Sequence, residues 1–147
     1  MTIAQRVLVA ESDERLRTRL RDSLFDAGVS ADAVADGREA IERLDERVYT
    51  MMILEVALPV IDGVAVIDRV RKLGRAERPM LLVTANRGPM PVLDHDLVQM
   101  VLRKPLDVRQ IADVVATCLR AIAPKRDHAS TPRISDAREK DSSFNRT

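Results

Sequence analysis

The chain has 147 residues, 46% of them hydrophobic and 32% charged, and a net charge of +1. That length gives one domain with some chain to spare. The evenly mixed charge lacks the basic stripe that marks a nucleic-acid surface, so nucleic acid is not an expected partner. The single cysteine, Cys118, excludes an internal disulfide and leaves no thiolate cluster for zinc; it falls on an apolar helical face and reads as a small core residue. The aromatics are only Phe25, Tyr49 and Phe144, so the core must be aliphatic. The N-terminus "MTIAQRVLVAESDE" is charged too soon for a signal peptide, and no stretch approaches the roughly 20 apolar residues of a membrane span. A cytoplasmic protein without a membrane partner is expected.

Taken in chain order, "RVLVAES" reads as a buried strand over Val7 to Ala10. "DERLRTRLRDSLFDAG" places Leu16, Leu20, Leu24 and Ala27 on one helical face. Ser12 or Asp13 is its N-cap, and Gly28 closes it. "SADAVA" is a short second strand. "DGREAIERLDER" is a second amphipathic helix. "MMIL" is a third strand running straight into Glu55, and "VAVIDRVRKLG" is a third helix ending at Gly74. "RPMLLVTA" is the fourth strand. In "NRGPMPVLDHDL" the prolines make a full helix expensive; a loop with a short turn near Leu93 to Asp96 is predicted instead. "VQMVLRK" is the fifth strand. "LDVRQIADVVATCLRAIA" is a final helix with Asp107 as N-cap and an apolar face of Ile111, Val114, Val115, Cys118, Leu119 and Ile122. From Pro124 to Thr147 the sequence is polar and lacks apolar periodicity, and it reads as a disordered tail after a domain over 1–123.

Strands alternating with helices give an α/β protein with a parallel sheet covered on both faces. Five strands and about five helices fit the flavodoxin-like order 2-1-3-4-5, whose working site lies beyond the carboxyl ends of the strands. That rule gathers Glu11 and Ser12, Glu55, Thr84 and Lys104 around one crevice. A carboxylate there needs partners, so a hydroxyl and an ammonium are expected to converge on Glu55. His95 and His128 have no metal-ligand or catalytic partner by spacing and read as surface histidines.

These residues resemble the CheY-like receiver domain of two-component response regulators, over about Arg6 to Ala123. "VLVAESDE" is similar to its first strand and acidic cluster. "ILEVALPVIDG" is similar to the strand of the phospho-accepting aspartate and its Leu-Pro-x-x-Asp-Gly turn. "LLVTA" and "LRKPLD" are similar to the fourth strand and the Lys-Pro step after the fifth. The resemblance implies phosphoryl transfer from a histidine kinase to an aspartate, assisted by Mg²⁺ held on carboxylates. It assigns the hydroxyl position to Thr84 and the lysine position to Lys104.

Three positions depart from that pattern. Glu55 stands at the acceptor position, Ser12 replaces one member of the acidic pair beside Glu11, and Val101 stands where the family has a switch aromatic. Glu is one methylene longer than Asp, and a misplacement of about 1 Å can cost about 100-fold in rate. With Ser12 neutral, Glu11, Asp13 and Glu55 are the remaining candidates for a cation, and no cofactor is expected. The expectation is therefore a non-enzymatic, stand-alone pseudo-receiver. It would act by protein–protein contact with a histidine kinase, another regulator or a target protein. Glu55 would be either a fixed anion that mimics phosphate or a plain ion-pair partner of Lys104. The alternatives are a receiver still phosphorylated with metal assistance, or the N-terminal part of a DNA-binding regulator.

Overall fold

Short aliphatic runs alternate with amphipathic helices, and the chain folds accordingly. The computed structural model describes residues 5–129, with side chains to 122. Its elements are β1 (Val7–Ala10), α1 (Glu14–Asp26), β2 (Ala31–Val34), α2 (Gly37–Glu46), β3 (Met51–Glu55), α3 (Gly63–Arg71), a 3₁₀ turn at Arg75–Glu77, β4 (Met80–Ala85), β5 (Val98–Arg103) and α4 (Val108–Ala129). The sheet order is β2-β1-β3-β4-β5, with every neighbour parallel, as the alternating pattern predicts. A parallel sheet is stable only when both faces are covered. Accordingly every residue of β1 and β3 is buried.

Local chemistry sets the helix boundaries. Asp13 is the N-cap of α1 and accepts the Leu16 N–H; Asp36 caps α2 and Asp62 caps α3 in the same way. Gly28, with φ of 81°, turns the chain after α1. α3 stops at Arg71, short of Gly74, and the 3₁₀ turn follows.

Between β4 and β5 the prolines prevail, and residues 86–97 are irregular apart from a turn at 95–97. Among the described residues four α-helices result where about five were expected. The crossover is pinned by burial of Leu93 in the core and by Asp94, which accepts from Arg71 Nε at 3.1 Å and Nη2 at 2.8 Å. With no helix there, Met100 and Val101 of β5 are exposed.

The core cluster on the α2–α3 side joins Leu8, Met52, Leu54, Leu81 and Val83 of the sheet to Ala40, Leu44, Val66, Ile67 and Val70 of the helices. In α4, Ile111, Ala112 and Val115 are buried and Val114 is half-buried. The chain divides into Gln5–Val115, which holds the sheet and the site, and a second unit that takes in α4 from Ala116 onward. α4 runs to Ala129, past the expected boundary at Ala123; the rest of the expected tail lies outside the described residues. No helix among the described residues is long and apolar enough to cross a membrane.

Two details of the turn after β3 bear on the site. A Cβ on Gly63 would lie 2.5 Å from the Glu55 carbonyl oxygen, so only glycine lets α3 start this close to the strand end. Val60 is held at φ 70° and is exposed, a left-handed conformation that a β-branched residue adopts at a cost. Val60→Gly is expected to raise stability by about 0.5–1 kcal/mol, the relieved strain exceeding the added freedom of the unfolded chain; urea unfolding measures it.

Tyr49 is the chain's one tyrosine, and there is no tryptophan. Its buried ring places the hydroxyl where it donates to Asp32 Oδ2 at 2.7 Å. Burial, reinforced by the Asp32 carboxylate, pushes the phenol up to about 12. Phenolate absorbance of the folded protein should therefore titrate near 12, against about 10 when denatured. Because the folded value is the higher, the stability from this group is full below pH 10 and is lost as pH rises toward 12. A folded-state midpoint near 10 would contradict this.

Candidate functional site

The crevice forms where β1, β3, β4 and β5 end. Glu11 and Ser12 follow β1 directly, Glu55 is the last residue of β3, Thr84 lies opposite Glu55 in β4, and Lys104 follows β5. The parallel register brings these ends level. Lys104 is fixed through its backbone, whose N–H donates to the Ala85 carbonyl at 2.8 Å.

Glu55 is 5% exposed and both carboxylate oxygens are engaged. Oε1 accepts from the Ser12 backbone N–H at 2.9 Å and from the Ser12 hydroxyl at 2.7 Å. Oε2 accepts from Lys104 Nζ at 2.7 Å. The ammonium also donates to Glu11 Oε2 at 3.1 Å, and the same oxygen accepts the Asp13 N–H at 3.1 Å. Arg17 lies across the strand end, with Nη1 donating to the carbonyls of Glu11 at 2.9 Å and Ser12 at 3.3 Å.

The electrostatics separate the two carboxylates. Burial pushes Glu55 up, but the hydrogen bonds from Lys104 and Ser12 outweigh it and hold the carboxyl below its ordinary value. For Glu11 burial prevails over the Asp13 and Lys104 hydrogen bonds, and the carboxyl is pushed up. Burial disfavours the charged form of Lys104, yet its bonds to Glu55 and Glu11 raise it above the usual lysine value. At neutral pH the centre is a Glu55 carboxylate locked to an ammonium.

The structure joins Glu11, Glu55 and Lys104, with Ser12 on Glu55, by hydrogen bonds, and leaves the Thr84 hydroxyl out of them. The hydroxyl on Glu55 belongs to Ser12, because Ser12 presents its backbone and side-chain donors together at the strand end. Among the described residues the Thr84 hydroxyl is buried with no hydrogen-bond partner, as is Glu11 Oε1. Asp13 is occupied as the cap of α1, and its bond from the Leu16 N–H holds its carboxyl below the ordinary range. His95 is exposed in the turn at 95–97, Cys118 is half-buried in α4, and the side chain of His128 lies outside the described residues. Arg17 at the strand end was not legible beforehand; its spacing on α1 matches any surface arginine.

The residues do not fit a divalent cation. Among the described residues no three His, Cys, Asp or Glu side chains are grouped to hold one. Of the four carboxylate oxygens of Glu11 and Glu55, Glu11 Oε1 alone has no partner among the described residues, and Lys104 already holds a positive charge against both groups. Mg²⁺ takes its protein charge from one or two carboxylates in near-octahedral geometry, and here they are engaged by an ammonium.

Comparison with known proteins agrees with the fold. Residues 7–116 match the model of the response regulator receiver domain, and the chain belongs to that family. It is 30% identical over 119 residues to the transcriptional regulatory protein PcoR of Escherichia coli, covering 79% of this chain and 52% of PcoR. It is 39% identical over 80 residues to the transcriptional regulatory protein TcrA of Mycobacterium tuberculosis, covering 54% of this chain and 31% of TcrA. The chain thus spans about half of PcoR and about a third of TcrA. In structure it is similar to the signal receiver domain of a LuxO-type repressor protein from Vibrio parahaemolyticus, with a TM-score of 0.70, 21% identity and coverage of 88% of this chain and 99% of the other. The chain is a receiver domain of a two-component signalling system.

Glu55→Gln should cost about 1–3 kcal/mol at neutral pH, because it removes the charge facing three donors while Lys104 keeps Glu11. Glu55 has a lowered folded pKa, so its contribution is full above the ordinary value of 4.5 and is lost as pH falls through the folded value. The deficit of the variant should shrink on acidification below about pH 4.5. A deficit constant from pH 7 to 3 would show that the charge is not what stabilises.

Proposed function

We propose that this receiver domain signals by protein–protein contact without being phosphorylated at the usual position, with Glu55 as a permanent anion in place of a phosphoryl group. The observation that carries the reading is that both Glu55 oxygens are engaged: Ser12 gives two hydrogen bonds to Oε1 and Lys104 one to Oε2. Charge-assisted bonds from an ammonium and a hydroxyl stabilise the carboxylate where it stands and lower its reactivity as a nucleophile, and they hold it where in-line attack on phosphorus depends on exact placement. The supply of metal charge is also weak, as Ser12 offers no carboxylate and Lys104 competes for those that remain. One negative charge against nearly two makes Glu55 a partial mimic of phosphate. The module is read as non-enzymatic and cytoplasmic, with a histidine kinase, another regulator or a target protein as partner.

A second reading draws on the relatives. PcoR and TcrA are named as transcriptional regulatory proteins, and the chain matches only 52% and 31% of their lengths. The domain would then be the receiver part of a DNA-binding regulator rather than a stand-alone module. The length of the transcript and of the protein purified from its source distinguishes the two.

Incubation with a small phosphodonor and Mg²⁺ should leave the intact mass unchanged. Addition of one phosphoryl group at Glu55 or Asp13 would overturn the proposal in favour of a metal-assisted receiver. The double variant Ser12→Asp, Glu55→Asp should gain phosphorylation, while Glu55→Asp alone should not. If Glu55 is a standing signal, Glu55→Gln should stay folded and lose binding to the partner that the wild type captures. Undiminished binding would make Glu55 a structural residue only.

A further inference from the structure

Beside the Glu55 centre lies a second feature that phosphoryl acceptance does not use. A hollow of about 510 Å³ is lined by Arg87, Gly88, Arg103, Lys104 and Pro105. Its three ionisable groups are all cations, and no carboxylate lines it.

The donors there are positioned but not spent. Arg103 Nη1 donates to the carbonyls of Asn86 and Gly88, both at 2.8 Å, which fixes the guanidinium against the β4–β5 crossover. Among the described residues its Nε and Nη2 make no hydrogen bond, and the exposed Arg87 side chain makes neither hydrogen bond nor ion pair. Lys104 has three N–H donors and uses two of them, on Glu11 and Glu55. Glu55 balances the charge of Lys104, so Arg87 and Arg103 leave the hollow with a net positive charge. A planar guanidinium held by the carbonyls of a neighbouring segment loses little freedom on binding an oxyanion and can offer it two parallel donors.

We propose that this hollow is a non-covalent binding site for a phosphoryl dianion, either a free phosphate ion or a phosphate ester carried on a partner. Arg103 and Arg87 are its main ligands, and the spare N–H of Lys104 lies at its inner edge. The irregular crossover creates it, because residues 86–97 bring Arg87 and the Gly88 carbonyl to the Arg103 side chain. The site is independent of whether Glu55 accepts or mimics phosphate. Its test uses no phosphodonor, so its failure leaves the reading of Glu55 standing, and the reverse holds as well.

The test is a titration of the full chain followed by amide NMR at constant ionic strength, with inorganic phosphate in one arm and a phosphoserine peptide in the other. Saturable shifts centred on Arg87, Gly88 and Arg103 are expected, with affinity about tenfold weaker in Arg87→Gln, the loss of one charge-assisted contact. Arg103→Gln should weaken it at least as much. Arg87→Gln is the decisive variant, since the Arg87 side chain holds no other part of the fold. Saturation by inorganic phosphate with no advantage for the peptide assigns the hollow to the free ion; tighter binding of the peptide assigns it to a phosphorylated partner. Shifts that never saturate, that spread over the arginines of α1, or that persist unchanged in Arg87→Gln overturn the proposal.

Discussion

Lys104 carries one ammonium into contact with two carboxylates that are almost shut away from water, Glu11 and Glu55. Two buried anions so close to one another would not both ionise unaided. The ammonium decides the outcome unequally: its shorter bond, and the two donors from Ser12, go to Glu55. Glu11 takes the weaker share and carries the burial penalty. This division accounts for the opposite pKa shifts of two groups in the same crevice. It also explains why a serine at position 12 suits a glutamate at position 55. An aspartate at 12 would bring a third anion to one ammonium, whereas serine brings two hydrogen-bond donors.

The scaffold holds these groups in place by means that are mostly backbone. The strand register sets Glu55 opposite Thr84, the Ala85 carbonyl holds the backbone of Lys104, and Asp13 starts α1 where Ser12 must stand. Gly63 allows α3 to begin against the carbonyl of Glu55 itself. The side chain of Glu55 is thus free to reach across the crevice while its backbone is confined between a strand and a helix.

The fold was legible because each strand is short, aliphatic and separated from the next by a periodic helix or by prolines that forbid one. The break between β4 and β5 could be read from Pro89 and Pro91 alone, but its anchoring by Leu93 and by Arg71–Asp94 could not, since those contacts join distant parts of the chain. At the site, the convergence of Glu55 and Lys104 followed from topology. The choice of Ser12 over Thr84 as the hydroxyl on Glu55 did not: both stand at strand ends, and which one reaches depends on a side-chain path that no spacing encodes. Tyr49 on Asp32 was hidden for the same reason, as the partners belong to separate elements.

The Lys104 bonds span long stretches of chain, 93 residues to Glu11 and 49 to Glu55. Contacts of such separation carry a larger loop-closure entropy than local ones. During synthesis from the N-terminus, β1 and β3 can emerge with their carboxylates before the cation that neutralises them has been made. Until β5 docks, the crevice is a pair of acids without a base, and water must remain where the folded protein excludes it. Docking of β5 is thus what brings the ammonium to the two carboxylates.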